Sequence, residues 1–236
     1  MENINRIKKI SIWIFILPAA DLNLCLFISV NHHLLEDTMF AVDQIGRSGF
    51  TIPYIDGSVS ISRTARTYPA YLIFKPTMIL TAILLIKYWI ANNKLIGTVN
   101  NEINKNKYFL IFGVGSALFL IAHSIFLGIK FDYDFYKFLR RFVLLGFIIF
   151  EIAAQALLVI SIFKMKEKME NFINKKILIL KIILVSILTI TALVSIPLLI
   201  SAGNVHFKHA LEWNYFIGVV LFYLLSFLFW KKKRQV

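Results

Sequence analysis

The sequence predicts an all-α integral membrane protein, a bundle of six transmembrane helices with both termini in the cytoplasm. Three observations predict it. Of the 236 residues 58% are hydrophobic and only 17% charged, with a mean hydropathy of +0.73, more apolar surface than a soluble core of this size absorbs. Six apolar stretches each reach the roughly 20 residues that a helix needs to cross about 30 Å of hydrocarbon. Basic residues divide unevenly between alternate connections, as the positive-inside rule requires. An aromatic content of 15%, with 22 Phe, excludes a disordered chain.

The spans are expected at 10–31, 69–91, 108–129, 140–163, 177–200 and 211–230, in one domain covering 1–236. The first follows Arg6, Lys8 and Lys9 as a signal peptide would, but Asp21 and Asn23 interrupt it and no Ala-x-Ala cleavage site follows, so it reads as an uncleaved span. Pro76, inside the second, frees a backbone carbonyl. An even number of spans puts both termini on one face. Seventeen of the 26 basic residues belong to that face: Arg6, Lys8 and Lys9 at the start, Lys87, Lys94, Lys105 and Lys107 between spans two and three, six lysines from Lys164 to Lys181 between spans four and five, and Lys231, Lys232, Lys233 and Arg234 at the end. The opposite face carries Arg47, Arg63, Arg66, Lys75, Lys130, Lys137, Arg140, Arg141 and Lys208. The net charge of +13 is therefore orientation in an anionic-lined membrane rather than a nucleic-acid footprint.

Both cytoplasmic connections read as solvated linkers without a phosphate cradle. The one long connection, 32–68 on the outer face, holds Gly46, Gly49, Pro53 and Gly57, and loops of that length are usually functional or disordered. All five histidines, His32, His33, His123, His206 and His209, fall in the outer half, where Asp56, Ser58, Arg63, Arg66, Asp132, Asp134 and Glu212 also lie. On that face Glu36, Asp37 and Asp43 join the last four acidic residues, so it is nearly balanced in charge.

Within the spans, Asp21 and Glu151 come out near mid-membrane and Lys75 roughly 10 Å below the outer surface, in reach of either. Gln155 shares a helix face with Glu151, four residues on. Such groups read either as an internal ion pair or protonated acid tying helices together, or as a relay through the bundle. The cytoplasmic halves of the spans read as nearly all Leu, Ile, Val and Phe, which weighs against the relay. Cys25, the single cysteine, excludes an intrachain disulfide, a CxxC pair and a cysteine-rich zinc site and reads as a packing residue. No HExxH signature is present, and only His123 lies inside a span, so neither a metal centre nor haem is expected, nor any other cofactor.

Three functions fit these residues. Arg63 and Arg66 at headgroup depth suit bidentate bonding to a lipid phosphate, with Asp56 and Ser58 in the same loop; snorkelling surface charges are the plainer reading. A lipid hydrolase or acyltransferase would use His123, His206 or His209 as general base with Asp56 or Glu212 orienting it, although Asp56-Gly57-Ser58-Val59-Ser60 is not a nucleophile elbow. A proton-coupled small-solute transporter would use Asp21 and Glu151.

The stretch Ile52-Pro53-Tyr54-Ile55-Asp56-Gly57-Ser58, followed by Arg66-Thr67-Tyr68-Pro69 and Ile73-Phe74, resembles the Pro-Tyr-Ile-Ser-Asp-Thr-Gly loop and following Pro and Phe of the Frag/DRAM/Sfk family. Ala210-Leu211-Glu212-Trp213, with His206 upstream, is similar to the start of that family's last span. Here Ile55 directly precedes Asp56, where the family usually has Ser. The family comprises six-span proteins, among them damage-regulated autophagy modulators and GPI-lipid remodelling factors. The resemblance implies a lipid-handling or membrane-regulatory protein with its signature loop on the non-cytoplasmic face and membrane lipids as its partners.

Overall fold

In a computed structural model the described residues are 2–35, 38–40, 51–99, 107–129, 134–200 and 203–231. Glu36, Asp37, Asp43, Gly46, Arg47, Gly49, Lys105, Lys130, Asp132, Lys232, Lys233 and Arg234 lie outside them. The regular structure described is helical: α1 Glu2–Val30, α2 Pro53–Asp56, α3 Ile61–Ala65, α4 Ala70–Val99, α5 Tyr108–Phe126, α6 Asp134–Lys164, α7 Lys175–Ile200 and α8 Val205–Phe229. A 3-10 turn over His32–Leu35 follows α1. Six of these helices are long and apolar enough to span a bilayer. The shortest, α5, has 19 residues, about 28 Å of rise, and so still covers the hydrocarbon.

Burial agrees with lipid as the surrounding solvent. At most 39% of any span's most apolar window is covered by the rest of the protein, and what stays uncovered includes Trp13 and Phe27 on α1, Leu80 and Ile90 on α4, Phe142 and Ile149 on α6, and Ile190 and Leu193 on α7. Contiguous apolar surface of that extent is stable only against hydrocarbon. Packing runs in chain order, with α4 seated on α1, α5 on α4, and α6 on α5, while α8 closes back onto α1. Small residues permit the close approaches. A Cβ on Gly113 of α5 would run into the ring of Trp89 on α4, and Cys25 of α1 directs its thiol at the Ala70 carbonyl of α4 (3.7 Å).

The two ends of the bundle are distinct. At the terminal face Lys8 donates to the Trp230 carbonyl (2.9 Å), so both ends of the described chain meet there. The connection from α6 to α7 corrects the expectation of a solvated linker: Met165, Met169 and Ile173 are buried, and its backbone pairs with the chain after α8 through Asn174 N–H to Phe229 O and Lys231 N–H to Phe172 O, both 2.9 Å. An apolar residue every fourth position turned the segment inward while its lysines stayed outside. The opposite, loop face carries α2, α3 and the 3-10 turn.

Candidate functional site

Helices α1, α4, α5, α6 and α8 surround a cavity of about 130 Å³ in the loop-face half of the bundle. Its wall is apolar almost throughout, with Pro18 and Leu22 from α1, Phe74 and Met78 from α4, Leu144 and Phe147 from α6, and Phe216 and Val219 from α8. Ile61 and Ser62 of α3 form its loop-face end. The space exists because α6 and α8 face one another across it and scarcely touch.

Two carboxyls and a histidine interrupt the apolar wall, Glu151, Glu212 and His123, together with the tyrosines Tyr215 and Tyr223. Glu151 forms the floor, about 26 Å along α6 by residue count. Its carboxyl is fully buried and held by Ser116 of α5 (2.6 Å), by the Gln155 amide one turn on (3.0 Å) and by the Tyr223 hydroxyl of α8. Gln155 also donates to the Val219 carbonyl (3.3 Å), tying α6 to α8 beneath the cavity. Glu212, near the opposite end, accepts the backbone N–H groups of Ile61 and Ser62, the free donors at the start of α3. His123 is buried on the wall, and its Nδ1 has no hydrogen-bond partner among the described residues.

The 51–69 segment sits over the cavity because α8 grips it along its length. Asn214 donates to the Tyr54 carbonyl (2.6 Å), the His209 ring bonds the Gly57 carbonyl (3.0 Å), and the Trp213 indole donates to the Val59 carbonyl (2.8 Å). Tyr54 packs edge-on against Trp213, ring centroids 5.0 Å apart. Gly57 adopts φ +57° with no room for a Cβ against the His206 backbone. Ser60 caps α3 by accepting from Arg63 N–H. The two short motifs singled out in the sequence are thus the two halves of one contact.

This accounts for several predicted residues. Asp56 accepts Ile52 N–H (3.0 Å) and Ser58 N–H (2.8 Å) from its own loop. His209 and Glu212 hold the loop to α8. His206, in the first turn of α8, backs Gly57 through its main chain. Ser58 Oγ is buried without a hydrogen-bond partner among the described residues.

Arg63 and Arg66 are exposed at the same end, and Arg140 of α6 joins them. Burial, with the charges of Arg140 and Arg63 adding to it, holds the Arg66 guanidinium below its ordinary pKa. Arg140 is also within electrostatic reach of His123 on the cavity wall. Among the described residues the salt bridge present is Lys175 to Glu170, on the terminal face; Arg63, Arg66 and Arg140 share no ion pair there.

The intramembrane groups divide differently from expectation. Lys75 lies over the Tyr71 ring, 5.6 Å from its centroid, and the ion pair expected with Asp21 or Glu151 is absent among the described residues. Asp21 is buried between α1 and α4, outside the cavity wall, and among the described residues neither carboxyl oxygen has a hydrogen-bond partner of ordinary geometry; Thr77, beside it, spends its hydroxyl on the Ile73 carbonyl (2.8 Å). No three His, Cys, Asp or Glu side chains gather at metal-binding spacing among the described residues.

Sequence reasoning put Ser116 on one helix face with His123, and Arg140 on the outer side, but missed that Ser116 and Tyr223 meet Glu151 and that Arg140 comes within reach of His123, which depends on which helices adjoin. It also assigned Lys181 to a connection. The lysine lies within α7 and is buried, and a signal for this existed, since position 181 falls inside the apolar run 177–200. Fold and site together define a multi-pass membrane protein with a polar-floored cavity beneath the 51–69 segment. No protein-family model, curated protein or solved structure matches the chain.

Proposed function

We propose that the protein binds and handles a membrane lipid, with the phosphate at Arg63, Arg66 and Arg140 and apolar chain in the cavity below. The observation that carries this reading is the juxtaposition of three cations lacking acidic partners among the described residues with an apolar cavity lined by the residue next to Arg63 and by the histidine next to Arg140. Guanidinium groups match phosphate oxygens bidentately, and a phosphate relieves the repulsion among them. The loop face is then non-cytoplasmic, since most of the 26 basic residues belong to the other side even with Lys181 set aside as a buried residue of α7. The likeness to the Frag/DRAM/Sfk family supports the same role.

Binding is favoured over catalysis because His123 hydrogen-bonds neither Glu151 nor Glu212, and no histidine bonds a serine hydroxyl, among the described residues. A hydrolase or acyltransferase needs such a contact to activate its nucleophile.

The test is lipid mass spectrometry on purified protein. Charged hydrogen bonds contribute about 1.5–3 kcal/mol each, so Arg63→Ala with Arg66→Ala should lower retained phospholipid about tenfold or more, whereas Arg141→Ala should not. Unchanged retention in the double variant overturns the assignment.

A further inference from the structure

The terminal half of the bundle is not the uniform aliphatic filling that its composition suggests. Lys181 of α7 is buried and donates to Ser226 Oγ of α8 (2.8 Å). Its ammonium lies 4.0 Å from the Phe222 ring centroid and 5.3 Å from that of Phe229, and no carboxylate pairs with it among the described residues. Ser226 also bonds the Tyr88 hydroxyl of α4 (2.9 Å). The Tyr88 ring meets Tyr223 edge-on, centroids 5.0 Å apart, and Tyr223 donates to Glu151. A lysine or a carboxylate within a span costs about 3 kcal/mol on insertion scales, yet here both stand at the ends of one polar thread.

We propose that this thread, from Glu151 on the cavity floor through Tyr223, Tyr88 and Ser226 to Lys181, carries protons between the two faces of the bundle. The geometry at Glu151 carries the argument. Ser116 has one hydroxyl proton but two acceptors in reach, the Gly113 carbonyl (2.8 Å) and Glu151 Oε2 (2.6 Å). With Glu151 ionised, Ser116 donates to Oε2. With Glu151 protonated, Oε2–H donates to Ser116 Oγ, and the serine proton turns to Gly113. In both states Oε2 and the Ser116 hydroxyl keep a hydrogen bond, so the carboxyl gains and loses a proton without either of them losing its partner. Ser226 is built alike, since it accepts from Lys181 while its own proton has the Phe222 carbonyl (2.8 Å) or Tyr88 to choose from.

The proton count closes. Lys181 gives one proton to Ser226 as Ser226 passes its own to Tyr88, Tyr88 to Tyr223, and Tyr223 to Glu151 Oε1, and rotation of the carboxyl turns that proton to the Ser116 side. Every hydroxyl ends with one proton, and an ammonium and a carboxylate become an amine and an acid. Glu151 then unloads into the cavity when no acyl chain occupies it, and Lys181 reloads from the terminal face, about 9 Å from the start of α7. The hand-over from Tyr88 to Tyr223, whose hydroxyls are not bonded to one another, is the gate: it needs α4 and α8 to close up or one water to bridge them.

The thread uses none of the arginines, so its test separates from that of lipid binding. Purified full-length protein is reconstituted in phospholipid vesicles containing a pH-sensitive dye, and a potassium-diffusion potential is applied. Wild type should show proton flux above protein-free vesicles, Glu151→Gln, Tyr223→Phe and Lys181→Met should each lower it at least tenfold, and Arg141→Ala should leave it intact. Lys181→Met replaces a buried charge by an apolar chain of similar length, a change that folded proteins tolerate. Absence of wild-type flux, or full flux in Glu151→Gln or Lys181→Met, overturns the proposal.

Discussion

Gly57 shows how much a single residue decides. It takes a backbone angle that disfavours side chains, and its α-carbon lies against the main chain of His206, so the loop carbonyl reaches the His209 ring only if position 57 has no Cβ. Gly57→Ala is expected to cost about 2–4 kcal/mol, combining left-handed strain with displacement of α8's first turn. The check is the thermal midpoint of purified protein in detergent, which should fall clearly; an unchanged midpoint contradicts the described contact. Residue identity gave uneven guidance. Glu151 and Gln155 were legible because charge and amide inside an apolar run are conspicuous and four-residue spacing is a helix rule. Tyr223 and Ser116 were not, because tyrosine and serine are common in spans and nothing local says that two of them meet one carboxyl.

At the scale of elements, the six spans were legible from hydropathy alone, and the helices differ from expectation mainly by running further. α4 extends to Val99 and α8 begins at Val205, since polar residues at a span's end continue a helix into the headgroup zone without penalty. The short helices were invisible to that reasoning. α2 and α3 are too brief to carry periodicity, and they exist because α8 supplies partners for their backbone, Glu212 at the start of α3 and Asn214 at the Tyr54 carbonyl. Trp213 is the centre of this grip. Trp213→Phe keeps an aromatic ring but leaves the Val59 carbonyl without its donor, a loss of about 1–3 kcal/mol. If local opening limits cleavage, proteolysis within 51–69 should accelerate at least fivefold; an unchanged rate contradicts the docking of this segment on α8.

For the whole molecule, the asymmetry of the two faces is the feature that sequence and structure approach from different sides. Charge counting separates a basic face from a nearly balanced one, and the coordinates place the cavity under the balanced face. The cavity itself could not be read from sequence, because it is the space left where α6 and α8 stay apart, a property of helix arrangement rather than of any segment. Its wall nevertheless separates cleanly from the lipid-facing surface on the same helix. Leu144, Phe147 and Ile148 of α6 line it, whereas Phe142, Leu145 and Ile149 are exposed on the outside. That division permits a direct test. A phospholipid carrying a photoactivatable group on its acyl chain is incorporated with the protein in a bilayer, irradiated, and the cross-linked residues are mapped by mass spectrometry. Lipid held in the cavity predicts adducts on Leu144, Phe147, Ile148 and Val219 that disappear in Arg63→Ala with Arg66→Ala; adducts confined to Phe142, Leu145, Ile149 and the other outward residues, unaffected by the arginine substitutions, would contradict it.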